Sequence, residues 1–364
     1  MLINIAVSNP PYKVFQLQAA EELKQRMSGG AAVGRMIDIA SIHSGINSRF
    51  ISIPDTEENV VEKFYSKDGV YLKPGTKARM IEYEKWSKLI AKNAVGRLLE
   101  ESVIDNTKIT HLITISCTGF FAPGLDYFLI NEFNFPLIVK RVNIGFMGCA
   151  ASIIGFNNVL NEMNTPHINE INILLVSVEL CSLHLQIEPT RDNILANMIF
   201  ADGCGAALFS NSPLHNKRTR MEIIFTDSIL FNNSAGYMGW KVGDNGFEML
   251  LSSNLPKIVC VEAVPAIEQV LSSHELTVKS INHWALHPGG RAILDALQTG
   301  LNLSDEMVLP SRNVLKNFGN MSSASILFVL KEILSSGKLK KDDLCCAVAF
   351  GPGLTMEIAI FKGV

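Results

Sequence analysis

The chain has 364 residues, 48% of them hydrophobic and 18% charged, with a formal net charge of −3. That length and apolar fraction fit one large core or two fused halves, with further surface covered by a partner subunit. The charge balance leaves no electrostatic footprint for nucleic acid, and no apolar run reaches the length of a membrane span.

The N-terminal stretch 1–7 lacks a basic start and runs into a polar turn, so it reads as a first strand and not as a signal peptide. Strand-like apolar runs are predicted at 3–7, 111–117, 171–179, 204–209, 222–231, 281–286, 347–350 and 355–361. Helical spacing is predicted at 14–27, 77–101, 150–163, 189–200, 255–272, 290–301 and 322–334. The clearest is 77–101, where Tyr83, Trp86, Ile90, Ala94 and Leu98 line one face. Strands alternating with helices argue for α/β layers. An apolar strand ending in a polar residue and glycine occurs twice, at 111–119 and 283–289. It suggests two related halves, 1–212 and 213–364, joined at the polar, Pro-containing stretch 210–220. The seven cysteines are an odd number, lie mostly in apolar segments and show no metal-ligand spacing. This fits a reducing cytoplasm. Adjacent Cys345 and Cys346 are predicted to face opposite sides of one strand.

Three segments carry candidate chemistry. In the first, an apolar run reaches Gly145 and Gly148, then Cys149, and a helical pattern begins at Ala150. A thiol at a helix start meets free N–H groups, which favour thiolate; the alternative is a small buried residue packed beneath the helix. In the second, His287 ends a buried strand just before Pro288-Gly289-Gly290. In the third, Asn320 precedes an apolar helix in Gly319-Asn320-Met321-Ser322-Ser323. Separately, His287 reads equally well as a core histidine and Asn320 as a helix cap. Together, Cys, His and Asn make a coherent set. An imidazolium stabilises a thiolate, and the same imidazole with a carboxamide stabilises an enolate or oxyanion.

Here the chain resembles the type III polyketide synthases, the chalcone/stilbene synthase-like family of the thiolase fold. The matching motifs are Gly148-Cys149-Ala150, Met198-Ile199-Phe200-Ala201-Asp202-Gly203, Ala285-Leu286-His287-Pro288-Gly289-Gly290, Phe318-Gly319-Asn320-Met321-Ser322-Ser323 and Ala349-Phe350-Gly351-Pro352-Gly353-Leu354-Thr355, in the family's order. Upstream, Cys117-Thr118-Gly119-Phe120-Phe121-Ala122-Pro123-Gly124 is similar to microbial more than plant members. The resemblance implies a five-layered αβαβα thiolase-like fold and a homodimer. It implies an acyl-carrying Cys149, with His287 and Asn320 as the decarboxylation and oxyanion pair. Phe200 matches a gatekeeper phenylalanine, and the second gate position falls on Met249. Thr118, Ala122, Cys181, His184 and Ser322 would line the cavity, and the loop Gly351, Pro352, Gly353 would close one wall. The basic cluster that plant members use for coenzyme A is replaced by Met36, Ile39 and His43. Coenzyme A recognition would then fall to Arg49, Arg291 and the backbone near Gly289 and Ala292.

The implied reaction condenses malonyl-CoA onto a starter acyl-CoA held on Cys149, repeats the extension, and releases a pyrone or phenolic ring by cyclisation. CoA thioesters are substrates, and no metal or redox cofactor is needed. The microbial likeness and Met249 lean towards a fatty acyl starter, with malonyl-CoA as its own starter the alternative. Competing readings are an initiating ketoacyl-ACP synthase, which carries Gln-Ala-Asn after its histidine; a papain-like protease, whose local cysteine signature is missing; and a catalytically silent thiolase-fold binding subunit.

Overall fold

Two helical segments, 151–163 and 325–335, share the innermost apolar cluster with residues from both arms of one sheet. Residues 1–53, 64–67, 70–165, 170–212 and 220–364 are described by a computed structural model. The first half begins with β1 (Leu2–Ser8), the ribbon β2 (Tyr12–Phe15) and β3 (Ser48–Ile51), and between these α1 (Gln16–Arg26) and α2 (Gly30–His43). A short pair, β4 (Ser66–Lys67) and β5 (Val70–Tyr71), precedes the long α3 (Thr76–Ser102). Then come β6 (His111–Ser116), α4 (Leu125–Phe133), β7 (Lys140–Gly145), α5 (Ala151–Met163), β8 (Asn172–Leu180), α6 (Arg191–Ile199) and β9 (Asp202–Ser210).

The second half runs through β10 (Met221–Leu230), the hairpin β11 (Met238–Gly243) and β12 (Gly246–Leu251), α7 (Leu255–Ile258) and α8 (Val264–Ser273). It continues with β13 (His283–Leu286), α9 (Arg291–Gly300), α10 (Asp305–Phe318), α11 (Ser325–Ser335), β14 (Leu344–Gly351) and β15 (Thr355–Gly363).

Nine strands form one sheet in the order β13-β14-β15-β10-β1-β9-β8-β6-β7. Its two arms share a pairing scheme. β1 pairs antiparallel with β9, β9 antiparallel with β8, and β8 parallel with β6. Likewise β10 pairs antiparallel with β15, β15 antiparallel with β14, and β14 parallel with β13. One register pair, Leu2 opposite Met221, joins the arms. Residues 213–219, which include the start of the predicted second half, fall outside the described residues.

Three apolar clusters separate the layers. The innermost joins Ile153, Phe156 and Val159 of α5 with Ile326, Leu330 and Ile333 of α11, and adds inward residues of both arms such as Ile173, Phe209, Cys345 and Phe361. A second packs α3 and α4 on the outside of the first arm through Ile90, Ala94, Leu98, Leu129, Leu174 and Val176. A third packs α8, α9 and α10 outside the second arm through Ile267, Leu294, Val308, Trp284 and Cys346. Strand β8 is buried at every position from 172 to 180, because helices cover both of its faces. The outcome is the αβαβα layering, and it puts Cys345 and Cys346 on opposite faces as predicted. The ends of α5 and α11 then meet inside, bringing the Cys149 and Asn320 segments together.

The predicted helix at 14–27 starts two residues later, because Tyr12–Phe15 pairs with Ser48–Ile51. Among the elements the periodicity missed are α2, α4, α10 and the β11–β12 hairpin. No helix among the described residues is long and apolar enough to cross a membrane.

Candidate active site

A single 3-10 turn, Gly148–Ala150, carries Cys149 into α5. Gly148 has φ +61°, and a Cβ there would lie 2.4 Å from Cδ of Pro352. From the other side, a Cβ on Gly351 would lie 2.7 Å from the Met147 carbonyl. Glycine on both surfaces thus lets the cysteine turn seat against the 351–353 loop.

Cys149 is 7% exposed, and its Sγ lies 3.7 Å from Oγ of Ser322. Burial pushes the thiol up to about 12; hydrogen bonds from Ser322 and Asn320 work against that, and the charge of Glu179 adds to it. The helix start therefore does not yield a resting thiolate, contrary to the sequence expectation. Desolvation outweighs the few partial charges of one short turn.

Asn320 is fixed at both ends of its amide. Its Oδ1 accepts from the Ser322 N–H at 2.8 Å, and its Nδ2 donates to the Gly289 carbonyl at 3.2 Å. Gly289 also touches His287: a Cβ on the glycine would be 3.5 Å from the imidazole Cδ2. His287 is 3% exposed, and neither of its ring nitrogens has a hydrogen-bond partner. Burial drives its imidazole down to about 3, so the ring is neutral. A buried, unpaired imidazole is uncommon in a folded interior and marks a donor or acceptor without its partner.

Beneath the cysteine sits Glu179, fully buried. It accepts from the Cys117 N–H at 3.0 Å, the Thr118 hydroxyl at 2.8 Å and the Ser323 hydroxyl. Burial raises its carboxyl, and those donors moderate the rise. The Thr118 oxygen also accepts from the Leu180 N–H at 2.9 Å, so this side chain is part of the floor.

Among the remaining predicted residues, Cys181, Phe200, Met249, Ser322 and Pro352 border a chamber of about 30 Å³ at Cys149, together with Thr118. Three placements differ from expectation. Ala122 is exposed, in the loop between β6 and α4. Gly119 is pinned there: a Cβ would lie 2.2 Å from the Tyr83 ring. His184 donates from Nε2 to the Thr118 carbonyl at 2.7 Å and accepts at Nδ1 from the Phe247 N–H at 2.9 Å. Both nitrogens are occupied, the ring stacks on Phe247 at 4.2 Å, and burial holds it neutral, its value down to about 3. His184 is therefore a brace that offers no polar contact. Arg49 is buried and donates to the Phe200 carbonyl at 2.8 Å, so it secures the gate and does not reach an exposed phosphate. Trp240 was missed: it borders the chamber and donates from its indole to the Cys117 carbonyl at 2.6 Å. Asp244-Asn245-Gly246 between alternating residues is a hairpin signal that points to it. By contrast, Arg291 and Ala292 are exposed beside the His287 turn, with Arg291 ion-paired to Asp295 at 3.4 Å.

A buried cysteine before one central helix, an asparagine before the other and a buried histidine after β13, beside the Gly289 carbonyl that holds that asparagine, make up the candidate site of a thiolase-fold condensing enzyme. The family model for chalcone and stilbene synthases, C-terminal domain, matches residues 222–364, and that for FAE1/type III polyketide synthase-like protein matches 53–228. The chain belongs to the type III polyketide synthases. It is 28% identical to a putative chalcone synthase of Bacillus subtilis, covering 99% of this chain and 98% of that one. It is 31% identical to an alpha-pyrone synthesis polyketide synthase-like protein of Mycobacterium tuberculosis, over 69% of this chain and 64% of the relative. The crystal structure of PKS-I from Ectocarpus siliculosus superposes with a TM-score of 0.91 at 27% identity, covering 100% of this chain and 98% of that one. The 1,3,6,8-tetrahydroxynaphthalene synthase from Streptomyces coelicolor gives 0.86 at 27%, covering 99% and 98%.

Proposed function

We propose that the protein is an acyltransferase that takes a starter acyl group from CoA onto Cys149 and extends it by decarboxylative condensation with malonyl-CoA. The observation that carries this reading is the His287 imidazole, buried with both nitrogens unpaired beside the carbonyl that holds the Asn320 amide. The imidazole gains a partner when a substrate oxygen arrives, and the second Nδ2–H of Asn320 is free to join it.

Because the resting thiol is protonated, the neutral imidazole of His287 takes its proton as the sulfur attacks the starter thioester carbonyl. CoA leaves as the thiol, taking up a proton, and Cys149 becomes an S-acyl ester. Malonyl-CoA then loses carbon dioxide. The electron pair of the broken C–C bond becomes an enolate whose oxygen accepts from His287 and from the Asn320 Nδ2–H. Preorganised donors of this kind are each worth about 3–4 kcal/mol in a dry site. The enolate carbon attacks the Cys149 thioester carbonyl, the acyl C–S bond breaks with the cysteine sulfur leaving as thiolate, and the extended chain is left on CoA as a β-ketoacyl thioester that can reload Cys149. Repetition and cyclisation give a pyrone or phenolic ring. The pyrone is favoured by the likeness to the mycobacterial alpha-pyrone synthesis protein. Phe200 and Met249 form the gate, the 351–353 loop one wall, and Gly289, Arg291 and Ala292 the CoA side of the entrance.

The assembly proposed is a homodimer through the β7 edge. β7 ends the sheet, and Leu137 and Ile138 beside it are 91% and 92% exposed. Bare apolar edges of this sort are covered in working proteins. The two related halves are assigned to 1–212 and 213–364, and the seven free thiols suit the cytoplasm. Mass analysis of Cys149 after incubation with acyl-CoA tests the central assignment. An adduct on the wild type, lost in Cys149→Ala, supports it, and an adduct elsewhere contradicts it.

A further inference from the structure

We infer that the outer face of α2, with the corner of β2 and α1 beside it, docks on the anionic surface of a lipid bilayer. The inference concerns a surface outside the proposed reaction and does not depend on acyl transfer to Cys149.

A helix on the outside of a folded chain ordinarily turns a charged face to water. α2 does not: it carries one acid, Asp38, and one arginine, Arg35. Its buried apolar residue, Ile37, packs with Ala20, Leu23 and Met198. On its other side Met36, Ile39 and Ile42, three residues apart, are 39%, 60% and 67% exposed. Phe15 at the end of β2 and Leu17 in the first turn of α1 are 59% and 70% exposed. Gln16 between them ties this corner to the end of α2. Its backbone N–H donates to the Asn47 carbonyl at 2.9 Å, and its Nε2 to the Ser44 hydroxyl at 3.3 Å. Five large apolar side chains gathered in this way differ from the scattered single ones that any surface carries. None of them belongs to the β7 edge given to the subunit contact.

The charge around the patch is of one sign once ion pairs are set aside. Asp38 and Glu21 both pair with Lys24, at 2.6 and 2.8 Å. Among the described residues, Lys13, Arg35 and Lys316 have no carboxylate partner. Lys13 lies over the Phe15 ring at 5.6 Å, and the Lys316 carbonyl accepts from the Asn47 N–H at 2.8 Å, which puts both cations at the same corner. Unneutralised bases beside bare apolar side chains suit the boundary of an anionic bilayer. The apolar groups enter the acyl region while the bases stay among the phosphates.

The rival occupant is an acidic protein, which needs directional polar contacts as well as charge. Apart from Arg35 and His43, the exposed positions of α2 are Gly30, Ala31, Ala32 and the three apolar residues, none with a hydrogen-bonding side chain. A fluid lipid surface needs no such contacts. Gly45, just past α2, lies against Arg291: a Cβ on the glycine would be 3.3 Å from the arginine Cβ. Docking therefore sets the proposed CoA entrance beside the bilayer.

The test is co-sedimentation of the full chain with vesicles of phosphatidylcholine containing about one third phosphatidylglycerol, and with vesicles of phosphatidylcholine alone. Wild type is expected to bind the anionic vesicles about tenfold more strongly or better, and added salt should narrow the gap. Ile39→Asn with Ile42→Asn, and separately Lys13→Gln with Arg35→Gln and Lys316→Gln, should each lower the partition coefficient by about tenfold or more. All these positions are exposed, so both variants should unfold at the wild-type temperature, which separates lost docking from lost fold. No binding to anionic vesicles, or equal binding by wild type and both variants, would overturn the inference. So would vesicles left unbound while Ile39→Asn with Ile42→Asn abolishes either binding to a purified acidic acyl carrier protein or self-association beyond the dimer, since both assign the patch to protein. Acylation of Cys149 is measured without vesicles, so its failure would count against the catalytic assignment alone.

Discussion

Phe200 and Asn320 face each other as a parallel bridge, with the Asn320 N–H donating to the Ile199 carbonyl at 3.0 Å and the Ala201 N–H to the Asn320 carbonyl at 2.8 Å. The proposed gate and the proposed enolate donor are therefore one backbone unit, built from the end of α6 and the loop before α11. Arg49 adds a third tie through the Phe200 carbonyl.

Removing the carboxamide tests the donor role. Asn320→Ala leaves the bridge, which is backbone, but deletes Nδ2–H. Malonyl-CoA decarboxylation is expected to fall by about 10²–10³, measured as carbon dioxide release. Acylation of Cys149 by a starter should change far less. A decarboxylation rate within threefold of wild type would remove Asn320 from the step.

Acid stability tests the neutral imidazole. The folded-state value of His287 is depressed to about 3 from an ordinary 6.5. Stability linked to this group is fully present above pH 6.5 and is lost as pH falls through the window from 6.5 towards 3. The slope is about 1.4 kcal/mol per pH unit. His184 contributes in the same direction, while the raised carboxyls of Glu179 and Asp202 oppose it, so the difference between wild type and His287→Gln isolates the term. Urea unfolding at pH 7.5, 6 and 5 should show wild type losing ground to the variant. A pH-independent difference would mean that the imidazole titrates in the fold as it does in the unfolded chain.

At Gly148, alanine would meet both a left-handed backbone and the Pro352 ring at 2.4 Å. The backbone alone costs about 1–2 kcal/mol. Gly148→Ala should unfold several degrees lower, and the displaced turn should slow Cys149 acylation at least tenfold. Full activity would show that the turn and the 351–353 loop are not mechanically linked.

Ile138→Asp examines the proposed subunit interface. A carboxylate at that exposed apolar position should raise the dimer dissociation constant by about 100-fold, read by sedimentation across a concentration series. An unchanged constant would move the interface elsewhere.

Much of the layering was legible because buried strands are apolar runs and amphipathic helices repeat at 3.6 residues; α3 was found almost to the residue. Harder cases have physical reasons. α2 and α4 keep several apolar side chains exposed, among them Ile39, Ile42 and Tyr127, which blurs their periodicity. α10 contains Pro310, which argues locally against a helix. At the site, Cys149, His287 and Asn320 stood out through their glycine-rich turns. The roles of Arg49 and His184 did not, since spacing reveals neither burial nor which ring nitrogen is already taken. Trp240 enters from a hairpin whose turn residues announced it but whose destination only packing decides.

The most direct measurement is the mass of the intact protein after brief exposure to a starter acyl-CoA, followed by peptide mapping. The sulfur of Cys149 should gain one acyl group per chain, and Cys149→Ala should gain none. An acyl group on another residue, or none on the wild-type protein with any starter from acetyl to long-chain, would contradict the assignment on which the mechanism stands.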